Sequence, residues 1–379
     1  MRIGLLTREY PPEVYGGAGV HVEYLANELR RLVDVDVHCF GRDRADARAH
    51  RPPTELTGAN AALQTIGVDV GIAAATGACE LVHSHTWYAN LGGHLAKLLH
   101  GIPHVCTTHS LEPLRPWKRE QLGGGYALSL WCERTALEGA DIVIAVSNGM
   151  RADVVSTYPG VDPDKVRVIY NGIDTNQYAP DPGTHVLTRY GVDPDRPYVI
   201  FVGRVTRQKG LPHLLRAARE FVPEAQLLLL AGQADTQELA AEVNGLVAEL
   251  TETRQGVIVV EQMLSKPEVI QLLTHATAFV CPSVYEPLGI VNLEAMACTT
   301  AVVASRVGGI PEVVEDGRTG LLVEPGDEGE LAASVNALLR DPQRATEMGQ
   351  AGRASAVTRF SWRTIAEQTA ALYRELVEG

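Results

Sequence analysis

The chain has no uninterrupted apolar run of the ~20 residues that a membrane-spanning helix needs, so no membrane span is expected. It has no Cys-x-x-Cys pair. Cys39, Cys79, Cys106, Cys132, Cys281 and Cys298 stand apart in apolar stretches, as reduced structural thiols do. Its opening shows no charged region, apolar stretch and cleavage site in series. Met1-Arg-Ile-Gly-Leu-Leu-Thr7 reads as a strand, so no signal peptide is expected and the default compartment is the cytoplasm. Positive charge is in short supply: Lys+Arg 33 against Asp+Glu 46 gives −13, which argues against nucleic acid as a partner and makes any basic chemistry local. Short-period repeats and low-complexity tracts are missing. What remains is ordinary for a packed protein. The chain is 45% hydrophobic and 21% charged, and its 379 residues suggest two domains at roughly 150 residues each.

Short apolar runs alternate with helix-period segments throughout. Strands are expected at Ile3–Thr7, Val35–Cys39, Leu81–Ser84, His104–Thr108, Ile142–Val146 and Val166–Tyr170, with helices over Val20–Leu32, Ala89–His100 and Tyr126–Glu138. The runs are apolar throughout rather than in period two, so both sheet faces should be covered, as in parallel α/β sheets. Asn176–Pro197 carries Pro180, Pro182, Gly183, Pro194 and Pro197 and reads as a linker. The pattern then restarts with Tyr198–Val202, Gln226–Leu230, Val257–Val260, Phe279–Cys281 and Val302–Ala304, with helices over Leu211–Phe221 and Leu331–Leu339. Ser361–Glu378 reads as a last helix with Ser361 as its cap. Gly41–Pro53, rich in Arg and Asp, reads as a solvated loop. The expected fold class is α/β: two similar domains, residues 1–175 and 176–360, with a cleft between them.

Three segments carry the chemistry. Glu286-Pro-Leu-Gly-Ile-Val-Asn-Leu-Glu294 follows an apolar run and opens a helix. Gly289 clears the approach to its N-terminus, where free N–H groups favour an anion. One carboxylate can meet a sugar hydroxyl and the other a ribose, unless Glu294 merely solvates its helix. Gly203-Arg204-Val205-Thr206-Arg207-Gln208-Lys209-Gly210 follows a strand at the edge where α/β sheets bind ligands; Arg204 and Lys209 suit a diphosphate, or form a solvated basic loop. Tyr15-Gly16-Gly17-Ala18-Gly19 resembles a dinucleotide-type glycine turn, but Glu9-Tyr-Pro-Pro-Glu13 makes the loop too long for a nicotinamide fingerprint.

Together these segments are identified as those of a retaining glycosyltransferase of family 4 with the GT-B architecture, two Rossmann-like domains facing each other across a deep cleft. The resemblance spans nearly the whole chain. It also rests on His83-Ser-His85, Thr108-His109, Val146-Ser147-Asn148, Tyr170-Asn171-Gly172-Ile173-Asp174 and Gly308-Gly309-Ile310-Pro311-Glu312. The opening and Thr107–Pro113 are most similar to actinobacterial-type glycogen synthases and to ADP-glucose-dependent enzymes that make maltose 1-phosphate. The resemblance implies glucose transfer from ADP-glucose to an α-glucan or glucose 1-phosphate, forming an α-1,4 bond.

Carried over position by position, it implies that Arg204 and Lys209 hold the donor diphosphate and Glu294 the ribose. Glu286, Leu288, Gly289 and Ile290 would hold the hexose and distal phosphate, with Gly16 and Gly17 against the diphosphate. His109 would lie beside the transferred sugar, so the catalytic set is Glu286, His109, Arg204 and Lys209. Residues around Gln262-Met263 are candidates for the base. The last helix, 361–379, would pack back on the first, acceptor-side domain, while 176–360 binds the donor. Two departures stand out: His85-Thr86-Trp87 where many starch and glycogen synthases have His-Asp-Trp, and Thr299-Thr300-Ala301 where Gly-Thr-Pro is common.

Fixed cations at the diphosphate lower the barrier to breaking a sugar–phosphate bond without a metal or cofactor. Asp34-Val35-Asp36 begins a strand far from the donor motifs, and Asp162-Pro-Asp164 reads as a turn. His83 and His85 point to one side of a strand but lack a third ligand for zinc, so a cleft-wall or packing role is preferred. Leu111–Gln121 reads as a loop in which Arg115 and Lys118, with Glu112, Arg119 and Trp117 nearby, can receive an anionic acceptor such as glucose 1-phosphate; a solvated loop is the plainer reading. The alternatives are a transferase moving mannose or a UDP-linked sugar to a lipid or small alcohol, a sugar-nucleotide epimerase and a non-catalytic sensor. Base preference, acceptor length and homodimer formation stay open.

Overall fold

Apolar, β-branched runs become the strands of two parallel sheets. The computed structural model describes residues 1–378, apart from the side chain of Gln121. Residues 1–172 with the last helix form one unit, and Ile173–Ser361 the other.

In the first unit the strands are β1 (Arg2–Thr7), β2 (Asp34–Phe40), β3 (Arg48–His50), β4 (Leu81–His85), β5 (His104–Thr108), β6 (Ile142–Ala145) and β7 (Val166–Val168), ordered β3-β2-β1-β4-β5-β6-β7. The crossovers include α1 (Gly17–Leu29), α2 (Ala61–Ala75), α3 (Trp87–His100), α4 (Lys118–Leu122), α5 (Gly125–Gly139) and α6 (Asn148–Thr157). In the second unit α7 (His185–Arg189) precedes β8 (Tyr198–Val205), α8 (Leu211–Ala217), β9 (Gln226–Ala234), α9 (Gln237–Thr253), β10 (Val257–Val260) and α10 (Lys266–Thr274). Then come β11 (Ala278–Cys281), α11 (Ile290–Ala297), β12 (Ala301–Ser305), α12 (Ile310–Val313), β13 (Gly320–Val323), α13 (Glu328–Arg340) and α14 (Pro342–Arg359). This sheet runs β10-β9-β8-β11-β12-β13. All registered pairs are parallel, so both faces need helices, and the strand centres are buried.

The last helix, α15 (Trp362–Glu378), inserts Trp362, Ile365, Ala366, Ala370 and Tyr373 into the first unit's core beside Ile3, Leu25, Leu29, Leu81 and Val105. At the start of the second unit, Ile173 lies alongside Ser361, and its amide donates to the Phe360 carbonyl at 2.7 Å.

Several expectations change. Gly41–Pro53 is not wholly loop, because Arg48–His50 pairs with His38–Phe40 as β3; such an edge strand has little apolar signal. Asn176–Pro197 is not a free linker. It contains α7 and docks on the second unit, where the Val186 amide donates to Gln271 Oε1 at 2.7 Å and Gln271 Nε2 donates to Asp181. Leu111–Gln121 holds a 3-10 turn at Glu112–Leu114 and the start of α4. Val166–Tyr170 is a strand only to Val168. Helix α2 and strand β13 have no counterpart in the sequence reading: α2 runs unbroken through Gly67 and Gly71, which weaken its helical signal, and Gly320 opens β13 under the Val302 carbonyl, where a Cβ would lie 2.3 Å from the oxygen.

Candidate active site

The carboxyl ends of β8 and β11 build a charged cluster in the second unit. Arg204 sits near the end of β8, and the chain turns through Thr206–Gly210. Thr206 caps this turn by accepting the Lys209 amide at 3.3 Å. Gly210 has φ +64°, and a Cβ there would stand 2.0 Å from the Pro282 carbonyl oxygen. The turn thus lies directly on the segment after β11, where the Val284 amide donates to the Gln208 carbonyl at 2.9 Å.

That packing brings Lys209 Nζ to 2.5 Å from Glu286 Oε2, which also accepts from Ser283 Oγ at 3.3 Å. Burial opposes charge on Lys209, but the Glu286 carboxylate outweighs it and raises the ammonium's pKa. Arg204 lies close enough to act on Lys209 in the opposite sense. Glu286 is itself held by its backbone: the Gly309 amide donates to its carbonyl at 3.0 Å. Gly308, with φ +57°, passes so close that a Cβ would lie 2.0 Å from the same oxygen. The Gly308-Gly309 turn therefore exists to let backbone reach Glu286.

Gly289, at φ +90°, starts α11, with Leu288 buried behind it and Ile290 in the first turn. Glu294 lies one turn on, half-buried. Burial pushes its pKa up to about 7, against a hydrogen bond from Tyr178 and the charges of Lys266 and Lys209. Arg204, Lys209, Glu286 and Glu294 thus share one electrostatic neighbourhood. Asn292, fully buried on the same helix, has neither side-chain nitrogen nor oxygen partnered, and it lies against Gly289. Sequence reading missed it because a lone Asn in an apolar helix carries no motif. Met263 is 86% exposed on the loop after β10.

The other candidates belong to the first unit. Gly16 caps α1 in extended conformation, and the carboxylate of Glu9 already accepts its amide at 2.7 Å and that of Tyr15 at 2.8 Å. An anion at this helix end is what its dipole favours. Gly19 is small because Glu9 packs on it, 2.8 Å from where a Cβ would stand. His109, past β5, has Nε2 at 3.0 Å from His85 Nδ1. Burial holds the pKa of His109 and His85 well below the usual imidazole range, so both are neutral. Thr86, the departure from His-Asp-Trp, adopts φ 64°, ψ 162°, a region that β-branched residues avoid.

Glu112 is buried, accepts from Ser129 Oγ at 3.0 Å and lies 3.6 Å from Arg115 Nη1, while Arg115 also donates to Ser110 at 3.0 Å. The Glu112 amide donates to Glu133 at 2.6 Å, and Tyr158 donates to the same carboxyl oxygen at 3.1 Å. Burial, then the Glu112 charge, pushes Glu133 up to about 8. Lys118 opens α4 just beyond. Elsewhere, Asp36 is spent on Arg2 and Arg48 at 2.8 and 3.1 Å, and Asp162 caps its own turn through the Asp164 amide.

Two parallel α/β units, with paired cations and carboxylates at strand ends of the second, define a GT-B glycosyltransferase. Residues 15–177 match the family described as Glycosyltransferase Family 4, and residues 188–355 that described as Glycosyl transferases group 1. The chain is 58% identical over 385 residues to α-maltose-1-phosphate synthase of Mycolicibacterium smegmatis, covering 99% of this chain and 100% of the relative. It is 30% identical to a glycogen synthase of Mycobacterium tuberculosis, covering 100% and 96%. The solved sucrose-phosphate synthase from Thermosynechococcus elongatus superimposes with TM-score 0.82 at 26% identity, covering 100% and 99%. The chain belongs to glycosyltransferase family 4. Among the described residues no helix is long and apolar enough to cross a membrane.

Proposed function

We propose that the chain is a retaining glucosyltransferase that moves glucose from ADP-glucose to glucose 1-phosphate or an α-glucan, making an α-1,4 bond. The observation that carries this reading is the Lys209–Glu286 contact, with Arg204 and Glu294 in its field, in a chain 58% identical to an α-maltose-1-phosphate synthase. Arg204 and Lys209 receive the diphosphate, and the N-terminus of α11 at Leu288–Ile290 adds its amides and dipole. Glu294, poised near neutrality, accepts from the ribose. Glu286 fixes Lys209 and the hexose. Gly16 and Gly17 offer the α1 N-terminus to the diphosphate, which then replaces the Glu9 carboxylate.

The C1–O bond to the diphosphate breaks as the acceptor hydroxyl bonds to C1 on the same face. The leaving phosphoryl oxygen takes the acceptor proton, so ADP leaves with it. Glu286, tied to Lys209, positions rather than attacks. His109 lies against the sugar. For the acceptor, Lys118 and Arg115 meet the phosphate of glucose 1-phosphate, with Glu112 holding Arg115 in place. Charge for the leaving group comes from side chains, so no metal or other cofactor takes part.

The test is a matrix of ADP-, UDP- and GDP-linked sugars against glucose 1-phosphate, malto-oligosaccharides, inositol phosphate and a lipid alcohol, read by product mass and anomeric NMR. The expected result is an α-linked disaccharide phosphate from ADP-glucose. Preference for GDP-mannose, or donor conversion without an acceptor, would overturn it.

A further inference from the structure

The strand-end histidines form a second chemical site. Sequence offers His83 and His85 as a pair without a third partner, but the structure redistributes them. His83 is consumed: Nδ1 lies 2.6 Å from Tyr373 Oη and Nε2 2.7 Å from Thr107 Oγ1. His85 turns instead to His109 on the neighbouring strand end and to His21 on α1. One nitrogen from each of His21, His85 and His109 lies within 4.8 Å of the others, and the rings of His21 and His109 meet at 4.6 Å.

Two features separate this triad from histidines packed for their bulk. His21, 3% exposed, has Nδ1 at 2.6 Å from Asn171 Oδ1. That oxygen only accepts, so the imidazole proton sits on Nδ1 and the Nε2 lone pair is left. Nothing donates to that lone pair, although it is buried. His85, fully buried, turns its Nδ1 rather than its Nε2 to His109, so Nδ1 is its ligand atom and Nε2 carries its proton once an ion is bound. An orphaned buried polar atom is costly, so the His21 Nε2 calls for a partner. Moreover, an imidazole whose far nitrogen is fixed by a side-chain carbonyl is the arrangement that orients metal-bound histidine.

We propose that His21, His85 and His109 form a binding site for a borderline transition-metal dication, Zn2+ or Co2+ rather than Mg2+ or Ca2+, and that the ion inhibits by tying up His109. Neutral imidazoles suit zinc-like ions, whereas the harder cations require oxygen ligands. A tetrahedral ion with ~2.05 Å bonds sets its nitrogens roughly 3.3 Å apart. The 3.0 Å His85–His109 separation is already near that, and His21 closes by rotation. The proton shared between His85 and His109 shifts to the far nitrogen of one ring, so charge balances with all three imidazoles neutral. His109 is only half-buried, which gives the ion a way in, and the fourth position is left to water. The binding stands apart from the proposed reaction; the inhibition rests on the reading of His109 beside the sugar.

The experiment titrates the metal-stripped full chain with ZnCl2 against a chromogenic chelator and repeats it with CoCl2. One Zn2+ per chain and the strong visible absorption of four-coordinate Co2+ are expected. His21→Gln should weaken binding at least tenfold, and Asn171→Ala should weaken it by ~10–100-fold, as loss of an outer partner does. In the wild type, Zn2+ should shift the ring-nitrogen NMR signals of three histidines, a readout that needs no variant. Absence of stoichiometric Zn2+, or equal affinity in His21→Gln, would overturn the site. Zn2+ bound with turnover unchanged would overturn the inhibition.

Discussion

Lys209 and Glu286 form a buried ion pair in which each side chain holds the other for a ligand. Neutralising Lys209 to Ala leaves Glu286 buried without its partner and removes charge from the leaving group. Turnover should fall by about 10²–10³, the cost of losing one preorganised charge stabiliser, with folding retained. Glu286→Gln should lower kcat by a comparable factor. Release of nucleoside diphosphate measures both; an unchanged kcat in either would refute the leaving-group role. Glu133 makes a different kind of prediction. The unfolded chain loses this proton near 4.5, whereas the folded chain keeps it to about 8. Raising pH across that window therefore costs stability. Glu133→Gln should match the wild type at pH 5 and exceed it in urea midpoint at pH 9. A gap that does not change with pH would show the carboxyl to be ionised throughout.

At the scale of elements, function depends on turns rather than on strands. Gly210 and Gly308 each press on a carbonyl oxygen that a Cβ would reach at 2.0 Å, and both have positive φ. Gly308→Ala should push Glu286 away from Lys209, costing on the order of 1–3 kcal/mol of stability and more than tenfold in turnover; thermal unfolding and kcat report the two. Thr86 carries strain in the opposite direction. Its φ 64°, ψ 162° belongs essentially to glycine, so Thr86→Gly should raise the melting temperature if α3 starts as observed. Arg115→Ala with Lys118→Ala should raise KM for glucose 1-phosphate far more than for a glucan. Equal losses would place these cations outside the acceptor site. The turn glycines were legible as motifs. The reason for Gly308 was not, because its partner, the Glu286 carbonyl, comes from another crossover.

For the whole molecule, acid is the weak direction. Burial lowers His21 to about 4 and His104 to about 3, with His83, His85 and His109 also held well down. Below about 6.5 the unfolded chain takes up protons that the folded first unit refuses, so stability is lost as pH falls through that value. Asp69 and Glu133 in the same unit act in the opposite sense but are fewer. The second unit's His185, His213 and His275 are exposed or only partly buried. Hydrogen exchange at pH 7 and pH 5 should therefore show protection lost first in residues 1–172. The returning helix matters at the same scale. Ending the chain at Ser361 strips Trp362, Ile365 and Tyr373 from the first core, at about 1.5–3 kcal/mol for each large side chain, and should leave an aggregating product.

The sequence by itself determined the α/β class, the strand runs and the residue types at the donor motifs, because apolar periodicity and turn glycines are local properties. It missed β3 and α2, whose burial depends on neighbours rather than on their own pattern. Only the tertiary structure decided which charges meet. Lys209 finds Glu286 because two strands distant in sequence lie side by side in the sheet, β8 beside β11. His21 finds Asn171, His85 and His109 for the same reason, since a parallel sheet gathers at one edge the ends of strands that the chain keeps far apart.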